Sequence, residues 1–214
     1  MELITNILTM LIQVVIVIIA ITFHEFSHAM AAYKLGDDTA KRMGRLTLNP
    51  IKHLDILGAI MLLIVRIGWA KPVPINPYNF DNMKIGTALT AAAGPLANFA
   101  FAILVAMIYH ASLGLLGNPG SNFLYMLYFF TLQFAVMINI ALGLFNLIPI
   151  PPLDGSRILG GFMTDDMYFK WCSFEKKGTY LLMIIFAVNF IFRLRLVEKL
   201  ILTPLNFLTA LLIG

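Results

Sequence analysis

The segment ILTMLIQVVIVIIAITFHEFSH, residues 7–28, joins a long apolar run to three ionisable side chains. Before Phe23, its only polar residues are Thr9, Gln13 and Thr22. With the helical residues on either side, the run reaches the roughly 20 residues that a helix needs to cross a bilayer. The segment therefore predicts a first transmembrane helix. We expect it to be retained, because the run is too long for a signal peptide and no basic residue precedes it.

The composition of the whole chain indicates an integral membrane protein. Of the 214 residues, 60% are hydrophobic and 12% are charged, and the mean hydropathy is +0.87. A soluble globular domain is seldom so apolar. The net charge of +4 comes from basic residues scattered between apolar segments, so we expect no nucleic-acid partner. The only cysteine, Cys172, excludes an intrachain disulfide and a cysteine metal cluster.

Further apolar runs define the rest of the predicted fold. Runs from about Ile85 to Tyr109 and from about Phe123 to Ile148 predict a second and a third spanning helix. The run from Ile56 to Ala70 is short and contains Arg66 and glycines, so we expect a re-entrant or hairpin element, with extended strands in IMLLIV as one form of it. Residues 178–213 fit one long bent helix or two short ones. The predicted fold class is an all-α integral membrane protein, a polytopic helical bundle.

The charges of the loops predict the orientation of the chain. Lys and Arg are concentrated in residues 34–55 and 149–177, and the loop 110–122 has neither. Short loops rich in Lys and Arg tend to stay cytoplasmic. We therefore expect the two basic loops inside and the N-terminus outside, provided that residues 56–70 do not cross the membrane.

A stripe of small or compact residues marks the second span. They recur at every fourth position: Gly86, Thr90, Gly94, Asn98, Ala102 and Ala106. Such a stripe lets neighbouring membrane helices approach closely. We expect this helix to lie at the centre of the bundle.

The ionisable residues at the end of the first span form an HExxH pattern. His24 and His28 are four residues apart and so lie on one face of a helix, where both imidazoles can bind one ion. In HExxH sites the histidines bind Zn²⁺ and the glutamate, here Glu25, is the general base. Ionisable groups at membrane depth are costly and point to function. The alternative is that the three residues lie in the water-exposed interface.

A catalytic zinc site needs a third protein ligand, and Asp154 is the best candidate. The first and third spans are predicted to run in the same direction, so their final residues lie at the same membrane level. Prolines after the third span end the helix and free the chain to turn Asp154 towards the histidines. A Leu-Asp-Gly sequence alone would be read as an ordinary turn. Beside the HExxH pattern we interpret Asp154 as a ligand.

Three motifs together resemble the site-2 protease family of intramembrane zinc metalloproteases. They are HEFSH (24–28), AAAGPLANF (91–99) and NLIPIPPLDG (146–155), each on a different predicted span. The segments GRLTLNPIKHLDILGAI (44–60) and GWAKPVPINPYNF (68–80) are similar to the compact prokaryotic branch without a PDZ or CBS domain. The resemblance covers about residues 17–157. It implies a single membrane-embedded metalloprotease domain over residues 1–214, with a three-helix catalytic core at about 5–157 and C-terminal helices at about 178–213.

The resemblance also implies residue roles. His24, His28 and Asp154 would bind one Zn²⁺ per chain, with Glu25 as catalytic base and acid. Asn98 and Asn146 would hold the substrate or the developing oxyanion, or else make hydrogen bonds between helices. His53 is a further candidate for the pocket, and we interpret Asn139 as a packing residue. The substrate would be a transmembrane protein cleaved within or near its membrane segment, in the cell membrane and towards the cytoplasmic side.

Two other functions fit parts of the pattern. A metal transporter would use the histidines as a transit site, but we find no path of further ligands and no inverted repeat. A protein with a structural zinc site would need four protein ligands, and three are evident. We therefore expect an enzyme.

Overall fold

The computed structural model describes residues 2–65, 68–117, 122–192 and 196–214. Within these ranges the chain is helical: α1 (Glu2–Lys34), α2 (Thr39–Arg42), α3 (Ile56–Val65), α4 (Met83–Leu116), α5 (Phe123–Asn146), α6 (Asp154–Gly160), α7 (Asp165–Ile191) and α8 (Leu196–Ile213). Short 3-10 turns occur at Pro50–Lys52 and Pro77–Asn79. The described residues contain no strand, only an isolated bridge between Leu54 and Ala70. The all-α prediction is confirmed.

Three helices are long and apolar enough to cross a membrane, as the sequence predicted. They are Thr5–Lys34 in α1, Met83–Leu116 in α4 and Phe123–Asn146 in α5. Both α1 and α4 continue well past the predicted apolar limits, because helix-forming residues follow each run. Asparagine side chains begin two of these helices: Asn82 Oδ1 accepts from the Ile85 N–H at 3.0 Å, and Asn122 Oδ1 accepts from the Leu124 N–H at 3.0 Å.

The predicted hairpin or re-entrant segment contains a helix. Residues Ile56–Val65 form α3, so the suggestion of extended strands in IMLLIV is wrong. A helix pairs the backbone polar groups of an apolar segment internally, whereas a strand would need a partner along its length. Ten residues rise only about 15 Å, half the thickness of a bilayer core. The bridge between Leu54 and Ala70 places the end of this segment beside the chain just before it. Arg66 lies outside the described residues.

The C-terminal part contains two helices. α7 begins at Asp165, earlier than the predicted helical region, and α8 begins at Leu196. The junction at 193–195 lies outside the described residues. The apolar part of α8, Lys199–Ile213, is shorter than the three spans. The division of the chain into one domain with a core at 5–157 stays a prediction.

The core of the bundle lies around α4, which packs against α1, α5 and α6. All six residues of the small-residue stripe are buried, which confirms the predicted central position of this helix. The core cluster joins four helices and consists of Ile16, Ala102, Val105, Ala106, Ala135, Val136, Ile140 and Leu205. Close packing along the stripe brings both α1 and α5 against α4, and this arrangement determines where the ionisable residues meet.

Candidate metal centre

His24, His28 and Asp154 converge inside the bundle. Both histidines come from α1 and are 7% and 6% exposed, and Asp154 is the first residue of α6. The two imidazole Nε2 atoms lie 3.0 Å apart. Asp154 Oδ2 lies 3.1 Å from Nε2 of His24 and 3.3 Å from Nε2 of His28. Three potential metal ligands that the sequence separates by 126 residues, from position 28 to 154, therefore form one compact group.

The other nitrogen of each imidazole faces a hydrogen-bond acceptor. His28 Nδ1 lies 2.7 Å from the carbonyl oxygen of Thr90, which can only accept, so Nδ1 carries the proton. His24 Nδ1 lies 2.6 Å from Asn98 Oδ1. The amide nitrogen of Asn98 donates to Ala20 O at 3.3 Å, so its oxygen is the atom that faces His24. Both histidines are thus held as Nδ1–H tautomers, with an unprotonated Nε2 directed at Asp154.

These three atoms fit a zinc ion. Two unprotonated nitrogens and a carboxylate oxygen face one another without a hydrogen to share, and Asp154 Oδ2 is buried without a hydrogen-bond donor among the described residues. Their separations of 3.0, 3.1 and 3.3 Å are close to the spacing of about 3.3 Å that a tetrahedral ion with bonds of about 2.0 Å imposes on its ligands.

Two glycines allow the ligands to come together. A Cβ at Gly94 of α4 would overlap the His28 imidazole and lie 2.7 Å from His24 Cε1. A Cβ at Gly155 would overlap the carbonyl oxygen of Leu147. Gly155 is therefore needed for the close approach of α6 to the end of α5, and it lies in the helix itself and not in a turn.

Glu25 lies beside the two histidines on α1 and is half-buried. One of its carboxylate oxygens, Oε2, accepts a hydrogen bond of 3.1 Å from the backbone N–H of Val73. Val73 stands between Pro72 and Pro74, which have no N–H, so it is the donor that this stretch offers to Glu25. The contact leaves Oε1 as the oxygen available for proton transfer.

Residues 70–76, here called the strap, are anchored on both sides of Val73. At one end, Lys71 N donates to His53 O at 2.9 Å, and Arg45 Nη2 donates to Lys71 O at 2.6 Å. At the other end, the Asn76 N–H donates to Asp37 Oδ2 at 2.7 Å. The strap therefore crosses the site between fixed points.

Asp37 is the anchor of the second end. It is fully buried, and besides Asn76 its carboxylate accepts hydrogen bonds from Thr39 and from the amide of Asn79 at 2.7 Å. Burial raises the pKa of Asp37, but these hydrogen bonds outweigh it and hold the pKa below its usual value.

A cavity of about 570 Å³ opens onto the three ligand residues and Glu25. The strap forms one wall of the cavity. The other walls of the cavity are formed by α4, the end of α5 and the α6–α7 region. The residues that line these other walls include Thr87, Ala91, Asn146, Pro151, Tyr168 and Trp171. The cavity is large enough for several residues of an extended peptide, and it brings them to the converging ligands.

The remaining candidates from the sequence lie in different surroundings. Asn146 lines the cavity, although its amide nitrogen donates to Leu142 O of its own helix at 3.0 Å. Asn98 is fully buried and its oxygen faces His24, so the predicted contact with substrate or oxyanion finds no support in this geometry. His53 is also fully buried, and its Nε2 donates to Thr47 O at 2.8 Å; it is not among the residues that line the cavity.

The residues that orient the site carry no motif in the sequence. Thr90 acts through its backbone carbonyl, which no side-chain motif reveals, and Val73 acts through its N–H. Asn139, a predicted packing residue, accepts at Oδ1 a hydrogen bond from Asn98 Nδ2 at 2.9 Å. The sequence shows that Asn139 and Asn146 are seven residues apart and so lie on roughly the same face of α5. It does not show that the packing of α5 against α4 places Asn139 next to Asn98.

Comparisons with known proteins agree on one family. A family model described as peptidase family M50 matches residues 121–191. The protein named "Putative zinc metalloprotease YwhC" from Bacillus subtilis (strain 168) is 39% identical over 179 residues, which cover 81% of this chain and 79% of that protein. No solved structure matches the chain.

Two more distant relatives bear the same description. MJ0611 of Methanocaldococcus jannaschii is 30% identical over 154 residues, which cover 72% of each protein. Rip2 of Mycobacterium tuberculosis (strain ATCC 25618 / H37Rv) is 29% identical over 146 residues, which cover 66% of this chain and 53% of Rip2. The chain thus spans most of the first two relatives and about half of the third.

Proposed function

The chain belongs to peptidase family M50 and is a membrane zinc metalloprotease, and on this premise we propose that His24, His28 and Asp154 bind one Zn²⁺ beside Glu25 as the general base. The observation that carries the proposal is the convergence of the two Nε2 atoms and Asp154 Oδ2 at 3.0 to 3.3 Å. Three protein ligands leave a fourth position of a tetrahedral ion open, which is the usual form of a catalytic zinc site.

Zinc held by these three residues would supply Lewis-acid activation of water and of a peptide carbonyl. Glu25 takes a proton from the attacking water at Oε1, while the Val73 N–H holds Oε2 in place. The same oxygen then gives the proton to the amide nitrogen that leaves. The two histidines keep their Nδ1 protons throughout, because Asn98 and Thr90 accept hydrogen bonds from them.

The substrate in this proposal is a membrane protein cleaved within or near a transmembrane segment. The carbonyls of a transmembrane helix are already hydrogen-bonded, so the segment must unwind locally before attack. The cavity of about 570 Å³ has room for several residues of the unwound segment beside the three ligand residues and Glu25.

We propose that the site lies towards the cytoplasmic face and that the N-terminus lies outside. The metal ligands are near the end of α1, where Lys34 and the basic segment 34–55 follow. Cysteines introduced singly at the exposed Lys41 and at the exposed Gly117, which follows α4, test this orientation. A membrane-impermeant thiol reagent applied to intact cells of a Cys172→Ser background should label Gly117→Cys and leave Lys41→Cys unlabelled. The reverse pattern would contradict the orientation.

Metal removal and return tests the function. The full chain is purified in detergent and incubated with a library of single-span membrane peptides before chelation, after chelation and after zinc is restored. We expect cleavage to disappear with zinc and to return with it. Cleavage that persists in protein shown to be free of zinc would contradict the proposal.

A further inference from the structure

A chain of hydrogen bonds connects α5 through α4 to the metal centre on α1. Asn139 of α5 donates from Nδ2 to Ala135 O at 2.8 Å and accepts at Oδ1 from Asn98 Nδ2 at 2.9 Å. Asn98 of α4 in turn directs its Oδ1 to His24 Nδ1 at 2.6 Å. Asn139 and Asn98 are both fully buried, so water does not compete for these contacts.

The direction of each hydrogen bond is fixed by groups that can only accept. The carbonyl of Ala135 accepts a hydrogen bond from the Asn139 amide nitrogen, so the amide oxygen of Asn139 must face Asn98. That oxygen and the carbonyl oxygen of Ala20 both accept hydrogen bonds from the Asn98 amide nitrogen. The Asn98 oxygen is then left for His24, and the His24 proton is held on Nδ1.

A buried asparagine at this position is costly unless it is used. The neighbouring core residues on α5 are Ala135, Val136 and Ile140, and a leucine would fill the same space without a polar group to desolvate. The hydrogen bonds of Asn139 therefore offset a cost that packing alone would avoid. These hydrogen bonds connect Asn139, through the side chain of Asn98, to the proposed zinc ligand His24.

We propose that Asn139 is a positioning residue of the metal centre, which sets the tautomer of His24 without touching the metal. The inference rests on the proposed role of His24 as a ligand. Without the acceptor at position 139, Ala20 O at 3.3 Å is the acceptor that remains for the Asn98 nitrogen among the described residues. The Asn98 amide is then held less firmly and can rotate to present its NH₂ group to His24 Nδ1. The His24 proton would then move to Nε2, and that nitrogen would no longer be able to bind zinc.

Zinc affinity and the visible spectrum of bound Co²⁺ test this inference on the full chain in detergent. Asn139→Leu fills the site and Asn139→Ala leaves space, and both remove the acceptor. We expect each to weaken Zn²⁺ binding about 10- to 100-fold, the usual effect of losing a group that orients a metal ligand. The Co²⁺ bands should also change, because they report the ligands and not the stability of the bundle.

The matched control is Gln133→Leu on the same helix. Gln133 Nε2 donates to Tyr109 OH of α4 at 3.1 Å, so this variant also removes a hydrogen bond between α5 and α4, but one that does not lead to His24. It should bind Zn²⁺ and Co²⁺ as the unaltered protein does. Circular dichroism verifies that all variants are helical, and the alanine variant serves if the leucine variant does not fold.

The outcomes separate this inference from the proposed function. Should the Asn139 variants bind zinc with unchanged affinity and an unchanged Co²⁺ spectrum, while His24→Ala loses zinc, the positioning role is wrong and the ligand assignment stands. An equal loss in Gln133→Leu would also overturn the positioning role, since bundle stability would then explain both. If the unaltered protein bound no zinc, or His24→Ala retained it, the proposed function itself would fail.

Discussion

The Nε2 atoms of His24 and His28 lie 3.0 Å apart, and the Nδ1 atom of each imidazole faces an oxygen that accepts its proton. Two unprotonated nitrogens at this distance repel each other unless a cation lies between them. The carboxylate of Asp154 completes the third side of the group at 3.1 and 3.3 Å. This relationship gives the metal centre its physical basis.

Removing the carboxylate should remove the metal. Asp154→Ala leaves two imidazoles, and we expect zinc affinity to fall by more than about 100-fold, beyond the usual effect of losing an orienting group. Metal content and chelator competition measure the change. Asp165→Ala is the control, because Asp165 is exposed and pairs with Lys84. Equal zinc affinity in the two variants would remove Asp154 from the ligand set.

A methyl group on the central helix should displace the ligands. Gly94→Ala directs its Cβ into the His28 imidazole, so we expect zinc affinity to fall by at least about 10-fold, although alanine itself favours the helix. Gly114→Ala on the same helix meets nothing within 4 Å and should behave normally. Normal zinc binding by the Gly94 variant would show that the ligands do not pack as tightly as described.

Loss of the Asp37 carboxylate charge at low pH should destabilise the fold. The folded pKa of Asp37 is lowered, so its contribution is fully present above the unfolded value of about 3.9 and is lost as the pH falls through the lower folded value. Asp37→Asn should therefore melt at a lower temperature than the unaltered protein at pH 6. The difference should narrow below about pH 3.9. A difference that stays constant from pH 6 to pH 3 would contradict this origin.

Asn146 is predicted to act on the substrate and not on the metal. It lines the cavity at the end of α5, and a rotation of its side chain would free the amide from Leu142 O. If it stabilises the developing oxyanion, Asn146→Ala should lower kcat about 100- to 1,000-fold with zinc content unchanged. Single-turnover kinetics measure this effect. An unchanged kcat would contradict this role, and the hydrogen bond to Leu142 O at the end of α5 would then be the function of Asn146.

Much of the architecture could be predicted from the sequence because it depends on local patterns. Apolar length predicted the three spans, and the small-residue stripe predicted that α4 is central. Helical spacing brought His24 and His28 to one face, and the order of the spans brought Asp154 to the same level. These inferences need only the periodicity of a helix and the thickness of a bilayer.

The remaining features depend on contacts between distant segments. The strap reaches Glu25 through the backbone of Val73, and backbone donors carry no mark in the sequence. Asn98 faces His24 and not the cavity because α1 and α4 pack at one particular rotation, which the stripe does not determine. The helix in Ile56–Val65 was missed for a related reason, since a short apolar run does not distinguish helix from strand.

The most direct test of the central claim is zinc content and cleavage measured together on Glu25→Gln. Glutamine keeps the size of the side chain and the acceptor for the Val73 N–H, but it cannot take a proton from water. We expect one zinc ion per chain, as in the unaltered protein, and a loss of cleavage of about 10²- to 10⁴-fold. Cleavage at the original rate with zinc bound would contradict it.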